Sequence, residues 1–325
     1  MRTVLLLAVL AGPCAAQGIT PTAQDFGRGG QPTRATYSFG LEADVIDKDD
    51  AVRWQRGDAQ VNAPLLLGEK FKLFAFAGAT YFGLDNRRNT LPPRLVKSSL
   101  GLFSIANIDD MQLTLGTTAG YQGDGDHMTW DTLDFTLTAV LKIPLDDEWS
   151  VSPGFRFSTG VSRLGRGFRY IPFPSLSFTY RPHADLEVTL GIGDFAVKWR
   201  QSQWLTIEAG YFPLFNARLR FAHEVTPWFT VSEYIGRYDE TYALTNKRWP
   251  DDHVIYLNSW STGVTLDFHH QFGEGPRGPV LGAALTWGLG FGGKARVWDY
   301  RESQERFELK LKPSQNFAIT AYLKF

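Results

Sequence analysis

Between Phe317 and Phe325 the chain alternates with a period of two. Phe317, Ile319, Ala321, Leu323 and Phe325 are apolar, and Thr320, Tyr322 and Lys324 between them are polar or amphipathic. Successive side chains of a strand point to opposite faces, so this segment has one greasy face and one wet face. The pattern recurs upstream. Tyr37, Phe39, Leu41, Ala43 and Val45 alternate with Ser38, Gly40, Glu42 and Asp44. Phe71, Leu73, Ala75, Ala77, Ala79 and Tyr81 share one parity, as do Met111, Leu113 and Leu115. The cleanest case sets Leu133, Phe135, Leu137, Ala139, Leu141 and Ile143 against Asp134, Thr136, Thr138 and Lys142. Further strands are read around Trp149–Phe157 and Leu176–Tyr180. No long stretch of period 3.6 competes, so almost no helix is expected.

Composition narrows what such strands build. Aromatics make up 14% of the chain, with ten Trp, 24 Phe and 12 Tyr, yet mean hydropathy is slightly polar at −0.20. No segment after residue 16 approaches the run of about 20 apolar residues that a membrane helix needs. An aromatic-rich chain that is polar on average can still lie in a bilayer if its strands are apolar outside and polar inside. A β-sandwich in the periplasm would alternate too; the number of strands in series favours a barrel. The formal net charge of −1 offers no basic excess for nucleic acid.

The beginning of the chain reads as an export signal. Met1-Arg2 is a small basic region, Val4–Ala11 a short apolar core, and Pro13-Cys14-Ala15-Ala16 a bend with small residues. Cleavage is expected after Ala16. Cys14 invites a second reading as a lipidation site, which Pro13 disfavours. No Cys remains beyond it, so disulfides cannot hold the exported chain. The expected organisation is a signal peptide at 1–16, a flexible lead at 17–34 and a single barrel domain at 35–325.

Connections come in two kinds. Tight turns are read near 68–69, 109–110, 144–148, 182–185, 201–203, 226–227 and 272–279, and longer polar loops at 84–93, 122–131, 161–168, 243–253 and 299–304. Short turns inside and long loops outside are the habit of outer-membrane barrels. Trp149, Trp204 and Trp228 each follow a tight turn and suit an interfacial aromatic girdle. Seven turns between termini at one end give sixteen strands. Leu186–Trp199 is short for two crossings, however, and reading Gly191-Ile192-Gly193-Asp194 as a bend inside one strand lowers the count. The expected fold is therefore all-β: a transmembrane antiparallel up-and-down β-barrel of about 14 strands, within a range of 12–16.

The terminal strand ending in Phe resembles the assembly signal of bacterial outer-membrane β-barrel proteins, carried by Phe317, Ile319, Leu323 and Phe325. The run from Pro172 to Pro182 followed by Leu186-Glu-Val-Thr-Leu-Gly is similar to an uncharacterised family of outer-membrane barrels. These resemblances imply residence in the outer membrane. The implied partners are lipid, lipopolysaccharide and the barrel-assembly machinery.

Chemistry is harder to find. His127 lies in Gly-Asp-Gly-Asp-His-Met-Thr-Trp but lacks the paired Ser of a hydrolytic site. Asp124, Asp126 and Asp131 do not form a calcium-loop pattern. His269-His270 are strand neighbours that point to opposite faces. No catalytic constellation, metal site or cofactor is expected. On the polar faces the candidate lumen residues are Asp134, Arg156, Glu187, Lys198, Arg200, Glu208, Arg218 and Arg220, with Glu42, Asp44 and Arg181 as further candidates. They either lock a closed barrel through cross-strand pairs or line a passage and select a solute. The leading expectation is porin-like passage or binding of a small solute. An outer-membrane enzyme acting on lipid or lipopolysaccharide, and a closed structural barrel, are the alternatives.

Overall fold

The computed structural model describes residues 33–46, 50–86, 88, 90–160, 172–192, 194–212, 216–246, 253–272, 278–299 and 304–324. Among these there is no helix. Seventeen strands follow one another: β1 (Thr33–Asp44), β2 (Ala51–Leu67), β3 (Phe71–Asn86), β4 (Arg94–Ile108), β5 (Met111–Gly123), β6 (Leu133–Pro144), β7 (Trp149–Ser158), β8 (Phe173–His183), β9 (Leu186–Gly191), β10 (Asp194–Arg200), β11 (Leu205–Phe212), β12 (Asn216–Thr226), β13 (Phe229–Leu244), β14 (His253–Gln271), β15 (Val280–Asp299), β16 (Gln304–Lys310) and β17 (Ser314–Lys324). Each strand from β1 to β15 pairs antiparallel with the next, β15 pairs with β17, and β17 closes on β1 through Thr33↔Leu323 to Gly40↔Asn316. The closed ring therefore has sixteen members. β16 stays outside it, pairing with the upper part of β15 in line with β17. Each ring strand is paired on both sides, as a lipid-embedded backbone requires.

The expected fourteen strands become sixteen because Gly191 pairs with Asp194, so the chain reverses between them instead of continuing as one strand. β9 and β10 pair from Gly191↔Asp194 to Leu186↔Trp199 across a two-residue connection. They have six and seven residues, fewer than the 9–11 of an ordinary crossing. All seven tight turns read in the sequence lie at the end of the barrel that holds both ends of the described chain. β1 starts at Thr33, two residues before the expected domain boundary. The signal segment, most of the lead, the loop at 161–168 and Phe325 lie outside the described residues.

The outer face is an apolar belt. Leu137, Leu190, Leu281, Leu285, Trp287 and Ile319 are all exposed, on the parity that the alternation assigned to lipid. Trp149, Trp204 and Trp228 are exposed at the tight-turn rim. Trp149 stacks on Tyr180 at 4.5 Å, and Trp228 stacks on Phe268 at 6.5 Å. The strands are unequal in height. β13, β14 and β15 have 16, 19 and 20 residues, far beyond a 25 Å belt at about 3.3 Å per residue. Their upper outer surface is charged, with ion pairs such as Arg237–Asp239 at 3.3 Å and Arg296 of β15 with Glu308 of β16. That part of the wall stands above the belt.

The ring is not round. Ala243 of β13 bridges Gly123 of β5 in parallel, although eight ring positions separate the two strands, half of sixteen. This seam divides the ring into two lobes of seven strands: a tall lobe of β14, β15, β17 and β1–β4, and a short lobe of β6–β12. The tall lobe is filled. Val52, Leu84, Leu95, Leu244, Ile255, Val297 and Leu309 form a buried core in its upper half, with Tyr242 among them. Phe76, Phe103 and Ile105 form a second one lower down. Above the belt the tall lobe is thus a sandwich with an apolar interior, not a water-filled tube.

Candidate functional site

The eight candidate lumen residues of the sequence all fall in the short lobe, on the inward parity of β6, β7 and β9–β12. Register joins several of them. Glu187 of β9 lies opposite Lys198 of β10, Lys198 opposite Glu208 of β11, and Glu208 opposite Arg220 of β12. Arg181 of β8 adds a hydrogen bond to Glu187. The result is one row across five strands with signs plus, minus, plus, minus, plus. Lys198 Nζ is 3.8 Å from Glu208 Oε1, and Arg220 Nη1 donates to Glu208 Oε2 at 3.4 Å. Opposite charges side by side on one face stabilise such a pairing. Arg220 is only 1% exposed, so this end of the row is packed. Arg200 forms a separate pair with Glu224 at 3.8 Å.

Arg218, Arg156 and Asp134 are not in the row. Arg218 lies opposite Gly210, two residue pairs above Arg220. Asp134 Oδ1 accepts hydrogen bonds from Ser158 Oγ at 2.9 Å and from the Gly160 amide at 3.0 Å, which fixes the upper end of β7 to β6. Arg156 is exposed to the lumen, and Ser152, Gly154, Ser177 and Arg218 are partly exposed. Among the described inward residues of the short lobe, Lys142, Arg156, Arg181, Lys198, Arg200, Arg218 and Arg220 outnumber Asp134, Glu187, Glu208 and Glu224.

The other side of the seam is closed by polar contacts that the sequence did not suggest. Asp124, in the polar loop read at 122–131, is 2% exposed. Its carboxylate accepts the amides of Thr245 at 2.7 Å and Asn246 at 3.0 Å, the Asn246 side-chain amide at 3.0 Å and the Thr245 hydroxyl at 2.8 Å. The His127 amide donates to Thr245 Oγ1 at 3.1 Å, and Gln122 Nε2 donates to the Thr241 carbonyl. Below the seam Arg56 of β2 reaches across the lumen. It grips Asp58 with two nitrogens at 2.6 and 2.8 Å and donates to Glu240 of β13 at 2.9 Å. Tyr242 donates to the other Glu240 oxygen at 2.9 Å. Near the tight-turn rim Tyr322 of β17 donates to Asp267 of β14 at 2.8 Å, crossing over Gly282 of β15. A Cβ on Gly282 would lie 2.2 Å from the Tyr322 ring, so only glycine admits this reach.

Two further candidates of the sequence point away from the lumen. A bulge between Gly40 and Ala43 reverses the parity of β1. Glu42 consequently meets Arg53 on the outside, and Asp44 meets Lys312 in an exposed pair at 3.3 Å. Among the described residues no cluster of His, Cys, Asp and Glu has the makings of a metal site.

No protein-family model matches the chain, and no curated protein does. Solved structures that resemble it are bacterial outer-membrane proteins. Pseudomonas aeruginosa OccK7 (OpdD) is 10% identical over 90% of this chain and 98% of its own, with a TM-score of 0.38. Acinetobacter baumannii OccAB4 is 12% identical over 90% and 97%, with a TM-score of 0.31. An outer membrane channel from Pseudomonas putida F1 is 10% identical over 90% and 95%, with a TM-score of 0.34.

Proposed function

We propose that this protein is a porin-like barrel of the bacterial outer membrane that binds and passes a small anionic solute through its short lobe. The observation that carries the reading is the division of the lumen. The tall lobe is filled by apolar side chains and the Arg56–Glu240 cross-link, whereas the short lobe keeps solvent-exposed inward positions with basic side chains in excess. A wall of one sign in a narrow space raises the local concentration of the opposite ion. The apolar belt and its aromatic rim suit an outer-membrane bilayer flanked by lipopolysaccharide. Phe317, Ile319 and Leu323 lie on the lipid-facing parity of β17, as expected of a strand that the assembly machinery reads with the terminal Phe325. No residue is assigned to catalysis.

Reversal potentials in planar bilayers under a salt gradient test the reading. Anion preference that falls in an Arg156→Gln, Arg218→Gln variant supports it; cation preference in the wild type overturns it. A closed structural barrel is the second reading, favoured by the charge-balanced row from Arg181 to Arg220, and it requires no conductance from verified folded protein.

A further inference from the structure

One outward position on β13 breaks the apolar pattern of the belt. Thr230, Ser232 and Tyr234 are buried toward the lumen, so Val231, Glu233, Ile235 and Arg237 face out. Ile235 is 39% exposed, and Glu233 is exposed next to it. Register fixes its height. Phe229, four residues below, stacks on Phe268 at 4.7 Å in the tight-turn rim. Arg237, four residues above, lies opposite Trp260, which stacks on Phe291 at 6.5 Å. Glu233 is midway between these aromatic groups, near the centre of the belt. Phe221 of β12 and Val264 of β14 flank it directly. Its two polar neighbours on this face are turned elsewhere. The Thr262 hydroxyl donates to the Tyr234 carbonyl at 2.9 Å, and His223 stacks on Trp204 at 6.0 Å. Among the described residues of β10–β14 below Arg237, no other Asp, Glu, Lys or Arg is on the outward parity. A carboxyl group set against hydrocarbon without a partner is costly.

The wall next to this position is also low. β9, β10 and β11 have six, seven and eight residues. At about 3.3 Å per residue and about 40° of tilt, seven residues rise about 18 Å, short of a belt of about 25 Å. Such a mismatch is relieved by thinning the bilayer or by association with a neighbour.

We propose that β11–β13 form the contact face of a two-fold dimer of this chain, in which the Glu233 carboxyl groups of the two copies hydrogen-bond each other. A two-fold contact sets a face against itself. This face holds no Lys or Arg, so Glu233 of one copy is answered by Glu233 of the other. A carboxyl group in its acid form is donor and acceptor at once, and two of them exchange O–H···O bonds reciprocally. Both copies stand the same way up in the membrane, with the axis along the bilayer normal, so residues of equal height meet. The second copy also covers the low wall. The dimer is independent of any passage through the lumen.

The test is cross-linking in isolated outer membranes, and in liposomes at increasing lipid-to-protein ratio, with a bifunctional methanethiosulfonate reagent. No cysteine follows Cys14. Ile235→Cys places one thiol beside the axis, and Leu137→Cys on β6, seven ring positions away, is the control. The expected result is a covalent dimer at position 235 and none at 137. Added to Ile235→Cys, Glu233→Gln keeps a group that donates and accepts, and should keep the dimer. Glu233→Leu should weaken it about 10- to 100-fold in the dilution series, as the loss of two hydrogen bonds gives. Heat-modifiable migration verifies that each barrel is folded. No cross-link at 235, equal yields at 235 and 137, a dimer undiminished by Glu233→Leu, or a dimer lost in Glu233→Gln would overturn the proposal.

Discussion

The carboxylate of Asp124 accepts the backbone amide of Thr245 at 2.7 Å, across 121 residues of sequence and from opposite sides of a sixteen-strand ring. With the Thr245 hydroxyl and the two Asn246 donors it makes four bonds, and these hold the ends of β5 and β13 together. Through them a circular lumen becomes two lobes with different chemistry.

Removing that carboxylate should open the seam. Asp124→Ala leaves the four donors across the seam without their charged acceptor, a loss of about 3 kcal/mol where such bonds are buried. The urea midpoint of the folded barrel should fall accordingly, while Asp126→Ala, whose carboxylate makes an exposed pair with Arg94, should change it little. Equal effects at the two sites would place the seam elsewhere.

The lipid-facing parity is tested on β6. Leu137 is 43% exposed on the outer face, and Thr138 points inward next to it. Arg at position 137 near the midplane should cost about 2–4 kcal/mol in folding titrations from urea into bilayers, against little at position 138. A cost as large at 138 as at 137 would contradict the register of β6.

Assembly should depend on the end of β17. Deleting Phe325 takes away the terminal aromatic that follows Leu323 and Lys324, and the yield of heat-modifiable barrel in the outer membrane should drop severalfold. In vitro refolding of the same variant should be much less affected, because Thr33↔Leu323 and the rest of the β1–β17 ladder remain. An undiminished yield in cells would argue against an assembly signal at this end.

Much of this architecture was legible in the residues themselves. Side-chain period two placed Leu137, Ile319 and Thr320 on their correct faces because a strand in a barrel wall has no other way to satisfy lipid and water at once. The tight turns were legible because Pro-Leu-Asp-Asp-Glu at 144–148 and Pro-His-Ala-Asp at 182–185 break every strand pattern. β2 was not read as a strand, since its upper half stands above the belt and carries outward Arg53 and Gln55 where lipid would demand apolar groups. β9 and β10 were merged into one strand because each is shorter than a full crossing. The charged positions of the short lobe followed from parity alone, but their alternating row depends on register, which only the closed ring supplies. The seam left no local trace: Asp124 reads as an ordinary loop acid, and its partners at Thr245 and Asn246 come from another loop. Arg56 was missed with the strand that carries it.

The proposed route takes solute through the short lobe and not the tall one. No cysteine follows Cys14 in the sequence, so single cysteines can be placed without background. Ser177→Cys lies on the inward face of β8 in the short lobe, and Thr286→Cys lies on the inward face of β15 in the tall lobe. Single-channel recordings before and after a charged methanethiosulfonate reagent compare the two. The expected result is a small, anion-preferring conductance that the reagent blocks at position 177 and leaves unchanged at position 286. Block at 286 with no effect at 177, or no conductance from folded protein, would contradict it.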